Sequence, residues 1–322
     1  MTSATHSPKW KTLLAFAIIY FVWGSTFLAI RIGVREVPPL ILAAIRFFLA
    51  GLALYLWMRA RGERSPTARE WRSASLLGFV IFVLDYGLLF WAEERVPSGI
   101  AAVMLATIPV FMTLSEIIFL HTQRLTVRLV LAFTIGTGGV AILMSRSLNL
   151  TGAPVDKLSA AGLIFASISW SIASTLTRKL PLPSSKVMSS GAQMLSGGVF
   201  LFLGAAMLGE FHNFHPATVS RAVWFSLLYL IIAGSIIGFT AYVWLIHRES
   251  PTKVGTYAYV NPVVAVVIGY FFGGETLSLR TILGALFVLI SVVVITTTRV
   301  KQPPTPKPSP ILRPTPKPAQ SL

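Results

Sequence analysis

An all-α integral membrane protein, with ten transmembrane helices arranged as two inverted five-helix repeats, is the fold class that three observations predict. The 322-residue chain is 54% hydrophobic and only 12% charged, with a mean hydropathy of +0.74. Soluble domains carry about a quarter charged residues. The chain also divides into ten apolar runs, each near the roughly 20 residues that a helix needs to cross a bilayer. Finally, landmarks of the first five runs recur in the second five.

The N-terminal segment 1–11, MTSATHSPKWK, lacks the charged-apolar-small order of a cleaved signal peptide. Runs 12–33, 39–58, 74–92, 98–120 and 126–145 build a first repeat over 12–146. A connecting loop, 147–157, leads to runs 158–178, 187–208, 222–246, 252–273 and 279–298, the second repeat over 158–298. Short connections make neighbouring helices antiparallel. The segment 299–322, rich in Pro and Lys, predicts an extended, disordered tail. Gly234 with Gly238, Gly269 with Gly273, and the Gly136, Gly138, Gly139 cluster predict close helix–helix approach.

Basic residues set the orientation. With both termini on one side, that side holds 19 Lys and Arg against 7 opposite, and the remaining cation, Arg46, lies well inside a run. Both termini are therefore expected in the cytoplasm. The formal charge of +16 is scattered in short clusters between apolar runs. It does not form the single basic face that nucleic acid would require.

The repeat is read from spacing. Trp23, Arg31, Arg46 and Gly51 recur as Trp170, Arg178, Gln193 and Gly198, each 147 residues on. Pro97, Pro109, Gln123 and Arg128 find counterparts in Pro251, Pro262, Glu275 and Arg280. Five spans per half is an odd number, so the second half enters the membrane from the opposite side. Inverted repeats are a device of secondary transporters, whose site lies between the halves. Proline inside a span removes a backbone donor. Such a break is tolerated where protein or a wet cavity covers it. Pro109 and Pro262 are accordingly expected to break their helices beside a central cavity.

Ionisable residues within spans are costly, about 2.5–3.5 kcal/mol at mid-helix. Arg46 and Asp85 lie at similar depths, roughly 10 Å below the outer surface at about 1.5 Å per residue. An Arg46–Asp85 pair is expected, opened when substrate or a proton takes Asp85. Gln193, the counterpart of Arg46, is expected to face the same cavity. Glu116, near an inner helix end, is expected to reach cytoplasmic water or Arg124. Tyr257 and Asn261, four apart on one helix face, can hydrogen-bond a polar substrate. Trp23, Tyr86, Trp170, Tyr242 and Trp244 can line an aromatic wall able to hold cations. Trp91 and Trp224 read as interfacial belt residues.

The stretches WGSTF (23–27), PPLILAAIRFFLAG (38–51), VPSGIAAVMLATIPVFMTLSE (96–116), SPTKVGTYAYVNPVVAVVIGYFFGGETLS (250–278) and RTILGALFVLISVVVI (280–295) resemble the drug/metabolite transporter superfamily. The likeness is to bacterial permeases and exporters with two EamA-type domains, and it covers about 12–298. It implies ten helices, an inner-membrane location, cytoplasmic termini and outward movement of small metabolites, amino acids or drugs. One departure is visible: Gln123 stands where the first repeat usually carries a glutamate.

The partners expected are the bilayer, a small-molecule substrate and protons in exchange. The chain has no Walker-type Gly-Lys-Ser/Thr loop, so the drive expected is a gradient rather than ATP. A membrane-embedded enzyme is the alternative, but HExxH and GxSxG are absent and the five histidines are scattered. No metal or cofactor is expected, and the absence of cysteine removes thiolate chemistry. A scaffold or sensor is the remaining alternative, with soluble parts too small for a receiver domain.

Overall fold

Short polar residues set where the helices begin. In the computed structural model, which describes residues 9–95, 98–144, 156–273 and 279–298, Thr67, Thr126, Asp156, Ser185 and Ser220 each accept a backbone N–H from the next turn. These bonds satisfy donors that a helix leaves free at its start. Most of the 147–157 link, the 299–322 tail, Pro97 and Glu275 lie outside the described residues, as do the side chains of Gly269 and Gly273.

The described elements are helical throughout. In order they are α1 (Lys9–Gly33), α2 (Pro39–Ala60), α3 (Ala68–Ala92), α4 (Val103–Leu120), α5 (Val127–Leu143), α6 (Lys157–Leu176), α7 (Lys186–Met207), α8 (Arg221–Ile246), α9 (Tyr257–Gly273) and α10 (Leu279–Thr297). Seven of them, α1 to α4 and α6 to α8, are long and apolar enough to cross a membrane; α5 and the 282–297 part of α10 are shorter apolar helices. Their outward faces carry large exposed apolar side chains, among them Phe21, Leu28, Leu56 and Phe225. Water would penalise that surface.

The packing depends on missing side chains. A Cβ on Gly51 of α2 would lie 2.3 Å from Leu195 N, and one on Gly198 of α7 would lie 2.6 Å from Phe48 N. As numbers rise along α2 they fall along α7, so the two helices cross antiparallel. The crossing is centred on Gly51 and Gly198, residues 147 apart. Gly139 and Gly284 bring α5 and α10 together in the same way, each within 3 Å of the other's carbonyl if given a Cβ.

The two halves also cap each other. Glu210, beyond α7, accepts Leu40 N (3.2 Å) and Ile41 N (3.0 Å) at the start of α2. Glu36, before α2, accepts Ser220 N (2.7 Å) and Ser220 Oγ (2.9 Å) at the start of α8.

The two expected breaks differ. Around Pro109 the chain leaves the helix at Ala106–Thr107 and resumes at Ile108. The loosened carbonyls find protein donors: Thr107 N (3.1 Å) and Oγ1 (2.6 Å) bond to Met104 O, and Thr113 Oγ1 (2.8 Å) bonds to Pro109 O. Pro262, by contrast, sits inside a continuous α9, which corrects the expected break there. The interruption lies upstream, between the short helix Pro251–Val254 and Tyr257. There Gly255 packs without a side chain against Met112 and Pro109.

Candidate functional site

Helices α1, α6, α8 and α9 each bring one aromatic residue to the middle of the molecule. Trp23 lies 5.7 Å from Trp170, 5.1 Å from Tyr242 and 4.9 Å from Tyr257, measured between ring centroids. Trp170 in turn lies 4.9 Å from Tyr242 and 5.9 Å from Tyr86. Tilted and edge-on contacts at these separations are the favourable ones for rings. Trp23 Nε1 donates to Gly234 O at 3.0 Å. Gly238 makes that approach possible, since a Cβ there would lie 2.6 Å from Trp23 Nε1. The Tyr242 hydroxyl donates to Ser174 Oγ.

Against this cluster lies a cavity of about 60 Å³, walled by Trp23, Thr26, Phe27, Ile30, Asp85, Tyr86, Leu89, Leu105, Ile108, Trp170, Tyr257, Ala258, Asn261 and Pro262. It has room for a few waters, well below the roughly 300–1,000 Å³ of a ligand pocket. A substrate of drug size must therefore open it. Of the residues singled out in the sequence, Trp23, Asp85, Tyr86, Trp170, Tyr257, Asn261 and Pro262 meet here. Tyr242 stands directly behind the Trp23 and Trp170 rings. The Asn261 amide directs Nδ2 to Tyr20 O (3.1 Å) and Tyr257 O (3.0 Å), the orientation that satisfies its neighbours. Trp244 stands apart, over an open groove with Trp10 and Trp57, and Arg248 stacks on it.

Arg46 is not joined to Asp85, which corrects the expected pair. The ion pairs among the described residues are Arg64–Glu70, Arg95–Glu94 and Lys253–Glu249. Arg46 Nε donates to Ser235 Oγ at 2.9 Å, and its guanidinium lies 4.6 Å from the Phe47 ring and 5.5 Å from the Tyr86 ring. Buried cation–π contacts are worth about 2 kcal/mol. Similar depth does not decide which way a side chain turns around its helix. Gln193 is corrected as well: it is fully buried, its Nε2 returns to Ser189 O (3.3 Å) and Ser189 Oγ (3.1 Å) on its own helix, and it does not line the cavity.

Glu116 is a third correction. Rather than meeting water or Arg124, it is fully buried. Its Oε2 accepts Thr252 N (3.0 Å) and Thr252 Oγ1 (2.7 Å), and its Oε1 accepts Thr122 Oγ1 (2.8 Å). Thr113 Oγ1 adds a bond to Thr252 Oγ1 at 3.1 Å. The carboxylate thus fastens the end of α4 to the helical turn ahead of α9.

Sequence reasoning also missed the local winding. Phe79–Gly87 of α3 and Leu230–Phe239 of α8 are π-helical, a winding that recurs at functional sites. The first stretch carries Asp85 and Tyr86 to the cavity. The second supplies Gly234 O for Trp23 and Ser235 for Arg46. The glycines at 87, 234 and 238 were the available signal, and alone they read as packing.

A family model described as "EamA-like transporter family" matches this chain twice, over residues 10–145 and 157–297. The chain is 36% identical over 301 residues to a protein of Escherichia coli (strain K12) named "Uncharacterized inner membrane transporter YedA", covering 93% of this chain and 95% of that one. It is 24% identical to the "Uncharacterized transporter YoaV" of Bacillus subtilis (strain 168), covering 86% and 94%. A solved structure described only as "Crystal structure of protein" shares the fold, with a TM-score of 0.73 at 21% identity over 90% of this chain and 97% of its own.

Proposed function

The chain belongs to the EamA-like transporter family, and from that premise we propose that it is a secondary transporter moving small molecules across a bacterial inner membrane by alternating access. In this reading its ten spans form two inverted five-helix repeats around the central cavity, with both termini in the cytoplasm. Support comes from the double family match, from the antiparallel α2–α7 crossing centred on equivalent glycines, and from the contact between the equivalent Trp23 and Trp170. The carrying observation is a cavity walled by both halves: Trp23, Asp85 and Tyr86 from the first, Trp170, Tyr257 and Asn261 from the second.

In this reading the buried Glu116–Thr252 fastening, which holds α4 to the helical turn ahead of α9, is the closed gate. Parting of those two elements opens the cavity on the side expected to be cytoplasmic. Opening on the opposite face completes the cycle. The substrates are small metabolites, amino acids or drugs, carried outward against a proton or down their own gradient.

Reconstitution into proteoliposomes tests this. Saturable flux of at least one such compound, lowered by Trp23→Ala, is expected. Absence of saturable flux across panels of amino acids, drugs and sugar phosphates sinks the reading.

A further inference from the structure

We propose that the central cavity selects an organic cation, with its ammonium nitrogen at the Asp85 carboxylate and its apolar part against the Trp23, Tyr86, Trp170 and Tyr257 rings. The proposal rests on the transporter reading above and names the substrate class of that same site.

Three observations point this way. Asp85 lines the cavity and is 4% exposed. Among the described residues it has no hydrogen-bond or ion-pair partner, the ion pairs lying elsewhere at Glu70, Glu94 and Glu249. Second, no basic side chain among the described residues lines the cavity. Arg46 turns to Ser235 and to the Phe47 and Tyr86 rings, with its Nη1 left without a hydrogen-bond partner. Third, apart from Thr26 and Asn261 the rest of the wall is aromatic and apolar, and ring faces attract a cation once water is excluded.

A buried ionised carboxylate without a partner is costly, and neutralisation removes that cost. Either a proton or an ammonium group achieves it. The two therefore compete for one carboxylate, which is the chemistry that exchange of a cation for a proton requires. An anion would meet Asp85 with no cation in the described wall to offset it.

The other titratable or charged groups around Asp85 are Tyr86 on its own helix, Tyr242 from α8, Tyr257 from α9, and Arg46 from α2 behind the Tyr86 ring. Helices α1, α4 and α6 present neutral side chains to the cavity. The pH response of ligand binding therefore belongs to Asp85.

The test uses four probes of one shape: phenethylamine, 2-phenylethanol, 3-phenylpropanoate and phenylalanine. Equilibrium binding to the purified wild-type protein is measured by calorimetry from pH 5 to 8, and flux of each probe is measured in proteoliposomes. Phenethylamine is expected to bind at least tenfold tighter than the other three, and to weaken as pH falls. Asp85→Asn is expected to remove both the preference and the pH response, and Asp85→Glu to keep them. The wild-type comparison decides the matter even if Asp85→Asn does not fold.

Equal or tighter binding of the alcohol, the anion or the zwitterion overturns the inference. Flux of phenylalanine or 3-phenylpropanoate without amine binding overturns it while leaving the transporter reading intact. Selective amine binding without flux supports the cation site and counts against transport.

Discussion

Replacing Glu116 by Gln should loosen the closed end of the cavity without unfolding the protein. Three donors converge on the Glu116 carboxylate: Thr252 N, Thr252 Oγ1 and Thr122 Oγ1. A glutamine with its oxygen in the Oε2 position keeps both bonds to Thr252, while Thr122 can turn its hydroxyl to accept from the amide. What is lost is charge assistance. Hydrogen bonds to charged groups contribute about 1.5–3 kcal/mol, and neutral ones about 0.5–1.5. Two bonds cross between α4 and Thr252, so closure should weaken by about 2–3 kcal/mol. At about 1.4 kcal/mol per factor of ten, the open population rises roughly 30- to 150-fold.

The absence of cysteine makes the measurement clean. Met112 is fully buried on α4 and packs against Gly255, so Met112→Cys reports separation of that contact. Maleimide labelling of the purified protein follows the open population when closing outpaces reaction. Glu116→Gln should raise the labelling rate of Met112→Cys at least tenfold. Ala50→Cys, buried in α2, should label no faster, because it reports global unfolding. Equal rates at Met112→Cys with and without the Glu116 change would refute the latch. Parallel increases at both sites would show general destabilisation instead.

Three further outcomes are expected. Gly51→Ala places a Cβ 2.3 Å from the Leu195 backbone nitrogen, so the α2–α7 crossing must spread; overpacking of this kind costs about 1–3 kcal/mol, read as a lower thermal midpoint in detergent. Glu210→Ala strips the acceptor from Leu40 N and Ile41 N and should cost about 0.5–2 kcal/mol, the range for lost helix caps, in the same melt. Arg46→Lys keeps the charge but loses the planar group over Phe47 and the Nε bond to Ser235. It should lower the midpoint and slow flux, and a variant indistinguishable from wild type would show that charge alone suffices there.

The residues gathered at the cavity were legible because each broke a simple rule. Asp85 is a charge in an apolar run, Pro262 is a helix breaker within one, and Trp23 and Trp170 recur at a fixed interval. What each of them touches was not legible. Arg46 and Asp85 share a depth, yet depth leaves rotation about the helix free, and the π-helical winding of Phe79–Gly87 shifts that rotation again. In a helix apolar on every side, no periodicity registers the change. Glu116 was misplaced for a related reason. Its position near a helix end suggested water, whereas the turn at Pro251–Val254 folds over it. Pro262 resembled Pro109 in sequence, but the adjacent interruption at Gly255–Thr256 already provides the bend that a break would supply.

The scaffold and its chemistry obey different symmetries. Equivalent glycines meet at the α2–α7 crossing and equivalent tryptophans meet at the cavity, as the proposed exchange of roles between the halves requires. The charges cannot. Arg46 has as its sequence counterpart Gln193, which bonds within its own helix, and α8 contains no acidic residue to match Asp85. In the proposed cycle the cavity carboxylate therefore stays on α3, and only its surroundings change when α4 parts from the turn ahead of α9. If the proposed exchange of a cation for a proton holds, coupling runs through how well each conformation shields Asp85 from water. An aromatic wall drawn from three helices besides its own is suited to vary that shielding, because tilting any one of them opens a gap beside the carboxylate.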